Sequence, residues 1–208
     1  RDAEAVGLPA IFGIRRSHEI LSRFQEAVGV PVFEIPTLPA SVPGFRLQDT
    51  FTSRLPERGI RPFYQSRVLE VREEEGGFVL SLGGTGVEHT LRARGILLAA
   101  GRFFSQGLVS DRNRIREPLF DLPVSQPESR DLWHSRDLMD RRGHAVNRAG
   151  LEVDDRFRPL NREGKPAFSS LFASGSILAH QDWIRMKCGS GLAIATSFAA
   201  VNAFFERL

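Results

Sequence analysis

From Ser17 to Gly29 the apolar residues Ile20, Leu21, Phe24, Ala27 and Val28 recur at helical spacing, with Ser17 placed to cap an amphipathic helix and Gly29 to stop it. Val32–Ile35 then reads as a short strand. Pro36, Pro39 and Pro43 stiffen the segment that follows, which is expected to carry no regular structure and to mark a boundary or hinge. A second helix is predicted from about Phe45 to Leu55, where Leu47, Phe51 and Leu55 repeat every four residues, with Pro56 and Gly59 ending it.

Strand signals come next. Val68–Val71, Phe78–Leu82 and Val87–Leu91 are short β-prone runs, separated by turns at Glu75–Gly77 and Gly83–Gly86, and predict an antiparallel meander. It leads into Gly95–Gly101, an unbroken apolar run closed by glycine, which reads as a strand buried on both faces of a parallel sheet. Residues 102–166 are rich in proline and predict loops with short elements only. The pattern of a buried strand ending in glycine returns at Leu171–Ser176. Gly189, Ser190 and Gly191 then open a long helix over Leu192–Glu206, with Leu192, Ala195, Phe198, Ala199, Asn202 and Phe205 on one face.

The 208 residues, 41% hydrophobic and 25% charged, are enough for one large or two small domains and argue against disorder and coiled coil. No apolar run approaches the roughly 20 residues of a membrane-spanning helix. The chain opens on Arg1 without a charged-then-apolar leader, so residue 1 is taken as an arbitrary cut. One cysteine, Cys188, excludes an internal disulfide and a cysteine-pair metal site and fits a reducing cytoplasm; no metal centre is expected. It reads as a buried small residue sooner than a redox thiol. The net charge of +3 is almost all arginine, since only Lys165 and Lys187 are lysines, and no compact basic run points to nucleic acid.

Two strands ending in Ala100-Gly101 and Ser174-Gly175, the second followed by a glycine-rich helix start, form a candidate site for an anionic or dipolar ligand. In open α/β sheets ligands sit at the carboxyl ends of strands, and a helix N-terminus offers unpaired N–H groups and partial positive charge. Phosphate, or the pyrimidine edge of a reduced flavin, would suit it. Tight turns and close helix–sheet packing would account for the same glycines, and both readings stay open. The pyrophosphate-cradling Gly-x-Gly-x-x-Gly turn does not occur: Gly84-Thr85-Gly86 falls in a hairpin turn, and Gly189-Ser190-Gly191 has Ile194 in the third position.

Three blocks carry a family resemblance. They are Pro36–Gly44 with Arg46-Leu47-Gln48, Leu98–Val109 running on to Arg112–Pro118, and Leu171–Leu178 followed by Asp182 and Cys188–Gly191. In these blocks, and over most of the chain, the sequence resembles the B subunits of the anaerobic, quinone-linked glycerol-3-phosphate dehydrogenases. The resemblance implies an α/β fold: the C-terminal half of a Rossmann-like FAD/NAD(P)-binding flavoprotein domain with an antiparallel meander, plus the end of an inserted α/β substrate-side domain. Residues 1–43 would end that insertion and 44–208 would form the returning half, the N-terminal pyrophosphate-binding half lying outside this sequence.

It further implies FAD or FMN as cofactor, oxidation of glycerol 3-phosphate to dihydroxyacetone phosphate, and electrons passed to quinone. The partners would be the A-type flavoprotein subunit of the dehydrogenase together with its membrane-associated iron–sulfur subunit, which would hold a cytoplasmic chain to the inner face of the membrane. By position, Gly101 and Gly175 would lie beneath the flavin, Ser176 would face its ribityl chain, and Gly189, Ser190, Gly191 and Leu192 would offer backbone N–H groups to its pyrimidine edge. Arg112, Arg116 and Glu117 are candidates for phosphate or partner contacts, with a local Arg–Glu pair as the simpler alternative. His180 and Asp182 are candidate proton acceptors; a plain surface histidine and a structural cap are the alternatives. Ala179-His180-Gln181, Trp183 and Lys187 depart from the family pattern in bulk and charge, which leaves a related hydroxy or keto substrate, or a non-catalytic assembly or electron-relay role, open as alternatives.

Overall fold

Val6–Pro9 and Val32–Ile35 pair as parallel strands β1 and β2, with Val6 opposite Val32 and Pro9 opposite Ile35, and helix α1 (Ser17–Val28) crosses between them. This computed structural model describes residues 3–36, 41–84 and 88–206. Pro39 in the proline-rich segment, Thr85 and Gly86 of the second meander turn, and Val87, the start of the expected third strand, lie outside the described residues. β1 escapes sequence reading because Val6-Gly7-Leu8-Pro9 is too short to show alternation. α1 stops as expected at Gly29, whose φ of +76° lets its N–H reach the Gln25 carbonyl at 2.9 Å. The N-cap is Arg16, however, and Ser17 is buried inside the helix.

Helix α2 (Val42–Glu57) begins before Phe45. Ser41 Oγ accepts the Gly44 N–H at 3.2 Å, and Pro43 sits in the first turn, where no N–H is needed, so Pro43 is helical and not part of an irregular crossing. Within residues 1–64 α2 is tied by polar contacts: Arg46 Nη2 donates to Glu34 Oε1 at 2.8 Å and its Nε to the Gly13 carbonyl at 2.8 Å, while Arg15 meets Asp49 at 3.1 Å. The chain divides into two compact units, 1–64 and 65–208.

The second unit opens on a three-stranded antiparallel sheet in consecutive order, β3 (Ser66–Glu74), β4 (Gly77–Gly84) and β5 (His89–Ala93). A register shift between Val68 and Glu70 marks a bulge that leaves Leu69 exposed. β6 (Ile96–Leu98) follows, then the short antiparallel pair β7 (Val109–Ser110) and β8 (Ile115–Arg116), and β9 (Val124–Ser125) paired with β10 (Gly150–Leu151). β11 (Leu171–Ala173) returns to lie parallel to β6, Leu171 opposite Ile96. β11 is buried throughout, but β6 is not buried on both faces: Leu97 is 37% exposed. The expected strand through Ser176 ends at Ala173, and Gly175–Ile177 forms a 3-10 turn instead.

The core of this unit gathers Leu108, Ile115, Leu151, Leu171, Ala173 and Ile177. Phe78, Phe120 and Phe168 add an aromatic triangle with ring centroids 5.6 to 6.1 Å apart. A short helix α3 (Trp183–Met186) precedes α4 (Gly189–Phe205). α4 buries Thr196 and Ala200, while Phe198 and Phe205 of the expected inner face are 71% and 63% exposed. A helix apolar on nearly every side gives periodicity no face to select; Thr196, bonded to the turn after β11, and Phe204, edge-on to Phe172, decide it. No helix among the described residues is long and apolar enough to cross a membrane.

Candidate functional site

The carboxyl ends of β6 and β11 bring three of the expected positions together. β6 runs out to Gly101, which has φ +68°, and Ser105 Oγ donates back to the Ala100 carbonyl at 2.5 Å. A side chain on Gly101 would collide with Ser105 Oγ and begin 3.7 Å from Ser176 Oγ, so the two strand-end turns face each other across this glycine. Gly175 has φ +76°, and its N–H donates to Thr196 Oγ1 at 2.8 Å; Thr196 Oγ1 donates in turn to the Leu192 carbonyl at 2.7 Å. With Ser197 Oγ donating to Ser174 Oγ at 3.0 Å, these bonds lock the first half of α4 onto the turn after β11.

Ser176 is therefore a neighbour of Gly101, and the first half of α4 is a neighbour of Gly175. The space over them is open: a Cβ on Gly189 or Gly191 would meet nothing within 4 Å, and one on Gly175 would find only Ala193 Cβ at 4.0 Å. No side chain caps α4, and the expected Leu192 N–H is not free, since it donates to the Cys188 carbonyl at 2.7 Å; those of Gly189, Ser190 and Gly191 are left with the partial positive charge of a helix start. Packing alone does not require glycine at 189 and 191.

Arg102, which falls in the Leu98–Val109 block but carries no role there in the sequence reading, is the brace behind this cluster. Its guanidinium donates to the carbonyls of Ser176 at 2.6 Å, Asn147, Ala149 and, at 3.5 Å, Leu178, joining the Gly175 turn to the 3-10 turn at Ala145–Arg148. Burial pushes its pKa down, and the charge of Asp182 partly offsets this. Gln181, also buried, donates to the Ser176 carbonyl at 2.9 Å and the Leu178 carbonyl at 3.2 Å. The available signal is position: a charged residue directly after a buried apolar strand needs a fork of acceptors.

Asp182 is 3% exposed. Its carbonyl accepts from Arg185 N–H at 3.1 Å and Met186 N–H at 2.8 Å, and its Oδ1 accepts from Arg185 N–H at 3.3 Å, so it caps α3. Its Oδ2 lies 3.7 Å from Arg185 Nε and has no hydrogen-bond partner among the described residues. His180 differs: its side chain is 70% exposed, its φ is +65°, and its Nε2 lies 2.6 Å from Glu152 Oε1. Its backbone N–H donates to the Arg148 carbonyl at 2.9 Å.

Arg112, Arg116 and Glu117 are not brought to the cluster as a unit. Arg112 and Arg116 lie on the exposed β7–β8 hairpin, where Arg116 Nε stands 3.7 Å from Asp111 Oδ2. The local Arg–Glu pair does not form among the described residues. Glu117 turns inward instead, accepting the N–H groups of Leu119 at 2.9 Å, Phe120 at 2.8 Å and Leu122 at 3.4 Å. Burial pushes its carboxyl pKa up, against the pull of those three amides. It lines an apolar cavity of about 620 Å³ with Leu97, Ala100 and Ser105. Cys188 is a half-buried free thiol, and no group of three potential ligands for a metal ion occurs among the described residues.

Residues 1–192 match the family described as FAD binding domain. Along its whole length the chain is 31% identical to a protein of Halobacterium salinarum named as the probable B subunit of anaerobic glycerol-3-phosphate dehydrogenase, covering 48% of that protein. It is 29% identical to the B subunit of the anaerobic glycerol-3-phosphate dehydrogenase of Vibrio vulnificus, over 96% of this chain and 45% of that one. The protein of the same name from Actinobacillus pleuropneumoniae is 32% identical over 97% of this chain and 47% of its own. The chain thus spans about half the length of the curated relatives it matches. It belongs to the FAD binding domain family, with FAD as its cofactor.

Proposed function

We propose that the protein is the returning half of the flavin site in a glycerol-3-phosphate dehydrogenase, oxidising glycerol 3-phosphate to dihydroxyacetone phosphate and passing electrons towards quinone through partner subunits. The observation that carries this reading is the convergence of Gly101, Gly175, Ser176 and the uncapped α4 start on open space at the carboxyl ends of two parallel strands. The names of the relatives support the substrate. FAD, when bound, supplies the acceptor for the two electrons of the carbinol C–H bond.

The chain's own residues do the rest. Gly101 and Gly175 allow the backbone to approach the ring. Ser176 offers its hydroxyl to the ribityl chain, and the N–H groups of Gly189, Ser190 and Gly191 hold negative charge at the pyrimidine edge, the Leu192 N–H being spent on the Cys188 carbonyl at 2.7 Å. His180, oriented by Glu152, takes the hydroxyl proton, and Asp182 holds the loop that presents it. Arg112 and Arg116 are left as docking charges for partner subunits. The fold role of 1–43 as the end of a substrate-side segment and of 44–208 as the returning flavin half belongs to the same proposal, as does attachment to the membrane through partners and not through a span of its own.

Titrating FAD against this chain and against the protein with the preceding half of the flavin domain restored, following quenching of flavin fluorescence, and then adding glycerol 3-phosphate with a reducible dye tests the reading. Saturable quenching and substrate-dependent dye reduction are expected of the restored protein and not of this chain alone. FAD binding by the restored protein without reduction would move the substrate to another hydroxy or keto compound. Absence of FAD binding in both would favour the assembly or electron-relay module, with the glycines serving turns alone.

A further inference from the structure

The loop-rich stretch between β9 and β10 folds around an open cleft of about 570 Å³ that the glycine cluster does not use. Its lining holds two arginines, Arg142 and Arg148, three histidines, His134, His144 and His180, and a single carboxylate, Asp131. Donors outnumber acceptors, which suits an anion, but most of them are already committed. Arg142 is held by Asp140, with Nε 3.2 Å from Oδ1 and Nη2 2.9 Å from Oδ2. His180 faces Glu152. His144 accepts the Ser135 N–H on Nδ1 at 3.1 Å, and its Nε2 lies 3.1 Å from the Leu138 carbonyl, so its proton sits on Nε2 and both nitrogens are occupied.

Two donors remain. The Arg148 guanidinium makes no hydrogen bond or ion pair among the described residues, and neither do the ring nitrogens of His134. The His134 ring stands edge-on to His144 with centroids 5.3 Å apart, so the pinned histidine acts as a post for the free one. Arg148 is placed by backbone on both sides: Arg102 clamps the carbonyls of Asn147 and Ala149, and the Arg148 carbonyl receives the His180 N–H at 2.9 Å. A guanidinium set on a fixed turn, with an imidazole on the same cleft, matches the oxygens of a phosphate monoester, which a planar fork holds two at a time.

We propose that this cleft binds the phosphate of a small phosphomonoester, with Arg148 and His134 as its side-chain donors. The inference rests on the glycerol 3-phosphate reading and deepens it, since the same cleft bears His180, the proton acceptor of that reading. It also assigns the phosphate to Arg148 and His134, leaving the exposed hairpin residues Arg112 and Arg116 to partner contacts. Asp131, the lone acid, is left to accept from a substrate hydroxyl.

The test is equilibrium dialysis of labelled inorganic phosphate and labelled glycerol 3-phosphate against the purified protein. Both should bind saturably and compete with each other. Arg148→Gln should weaken both by roughly tenfold or more, His134→Gln by a smaller factor, and Arg142→Gln, whose charge is already paired, by less than about twofold. Asp131→Asn should weaken glycerol 3-phosphate and spare inorganic phosphate. No saturable binding, or equal losses in Arg148→Gln and Arg142→Gln, would overturn the proposal, the second because it signals diffuse charge and no site. A FAD titration of the protein with the preceding half of the flavin domain restored keeps the two readings apart: FAD bound without phosphate sinks the cleft alone, whereas Arg148-dependent phosphate binding without FAD sustains the cleft and sinks the flavin reading.

Discussion

The two units of the chain are held together in different ways. Among the described residues of 1–64 the buried apolar side chains are few, Ala10, Phe12 and Val32, while Ile11, Phe33, Phe45, Leu47 and Phe51 are all at least half exposed. Polar ties, Arg46 to Glu34 and Gly13 and Arg15 to Asp49, carry much of the organisation there. In residues 65–208 a continuous core runs from Phe78 through Leu108, Leu151 and Leu171 to Ile177, and the polar contacts that matter for the site gather where strands end. The difference explains where a site can form. Turn residues held to a fraction of an ångström need a packed sheet beneath them, and only the second unit supplies one.

The sharpest way to break this contrast is Arg102→Ala. It would leave the carbonyls of Ser176, Asn147 and Ala149 without their donor in a partly buried setting, and about 3 kcal/mol of the second unit's stability should be lost. Urea unfolding followed by tryptophan fluorescence reads this directly, since both tryptophans, Trp133 and Trp183, lie in the second unit and Trp133 is buried in its core. A loss under about 0.5 kcal/mol would mean that water replaces the guanidinium at little cost, and that the brace is incidental.

Gly191→Ala sharpens the comparison from the other side. A Cβ there meets nothing in the protein, so alanine should stabilise α4 by roughly 0.5 to 1 kcal/mol through helix propensity. The same methyl group would stand in the open space proposed for the flavin edge, and FAD should bind about tenfold more weakly. Stability and binding moving in opposite directions would mark the glycine as kept for a ligand. Unchanged FAD binding would put the ring elsewhere.

Much of the fold is legible where a pattern has a single meaning. The α1 stop at Gly29, the strand at Val32–Ile35 and the β3–β4 pairing follow from glycine conformation and β-prone runs between turns. Sequence misleads where tertiary contacts choose between equivalent local options. α4 is apolar on nearly all sides, and the bond from Gly175 N–H to Thr196 Oγ1 fixes which face turns inward. Pro43 looks like a breaker in the sequence because its role depends on Ser41 capping the turn around it. Of the candidate site, the glycines are visible as strand endings, but Arg102 and Arg148 are not, since their surroundings are backbone carbonyls and a cleft wall contributed by distant residues.

In the first unit, Arg46→Ala should cost about 1 kcal/mol. The pair with Glu34 is only partly exposed, which makes it stronger than a surface ion pair, and Glu34 would lose the partner that holds its carboxyl below the ordinary range. Thermal unfolding of the first unit should show the loss and should also respond to added salt. An equal response of the core-based second unit to salt would erase the distinction drawn between them.

The smallest expected effect is a slope with pH. Burial holds the Glu117 carboxyl above its ordinary value in the folded chain, so the folded state binds that proton more tightly than the unfolded one. Stability from this group is therefore full below the ordinary glutamate pKa, falls as pH rises from there through the raised folded value, and is level beyond it. Glu117→Gln removes the ionisation while keeping an oxygen for the amides of Leu119 and Phe120. The difference in unfolding free energy between the two proteins, measured from about pH 4 to about pH 8, should change in that direction across the window. The opposite sign would mean that the three N–H groups outweigh burial, making Glu117 a charged clamp on the 117–122 loop; no change would mean that water reaches the carboxyl.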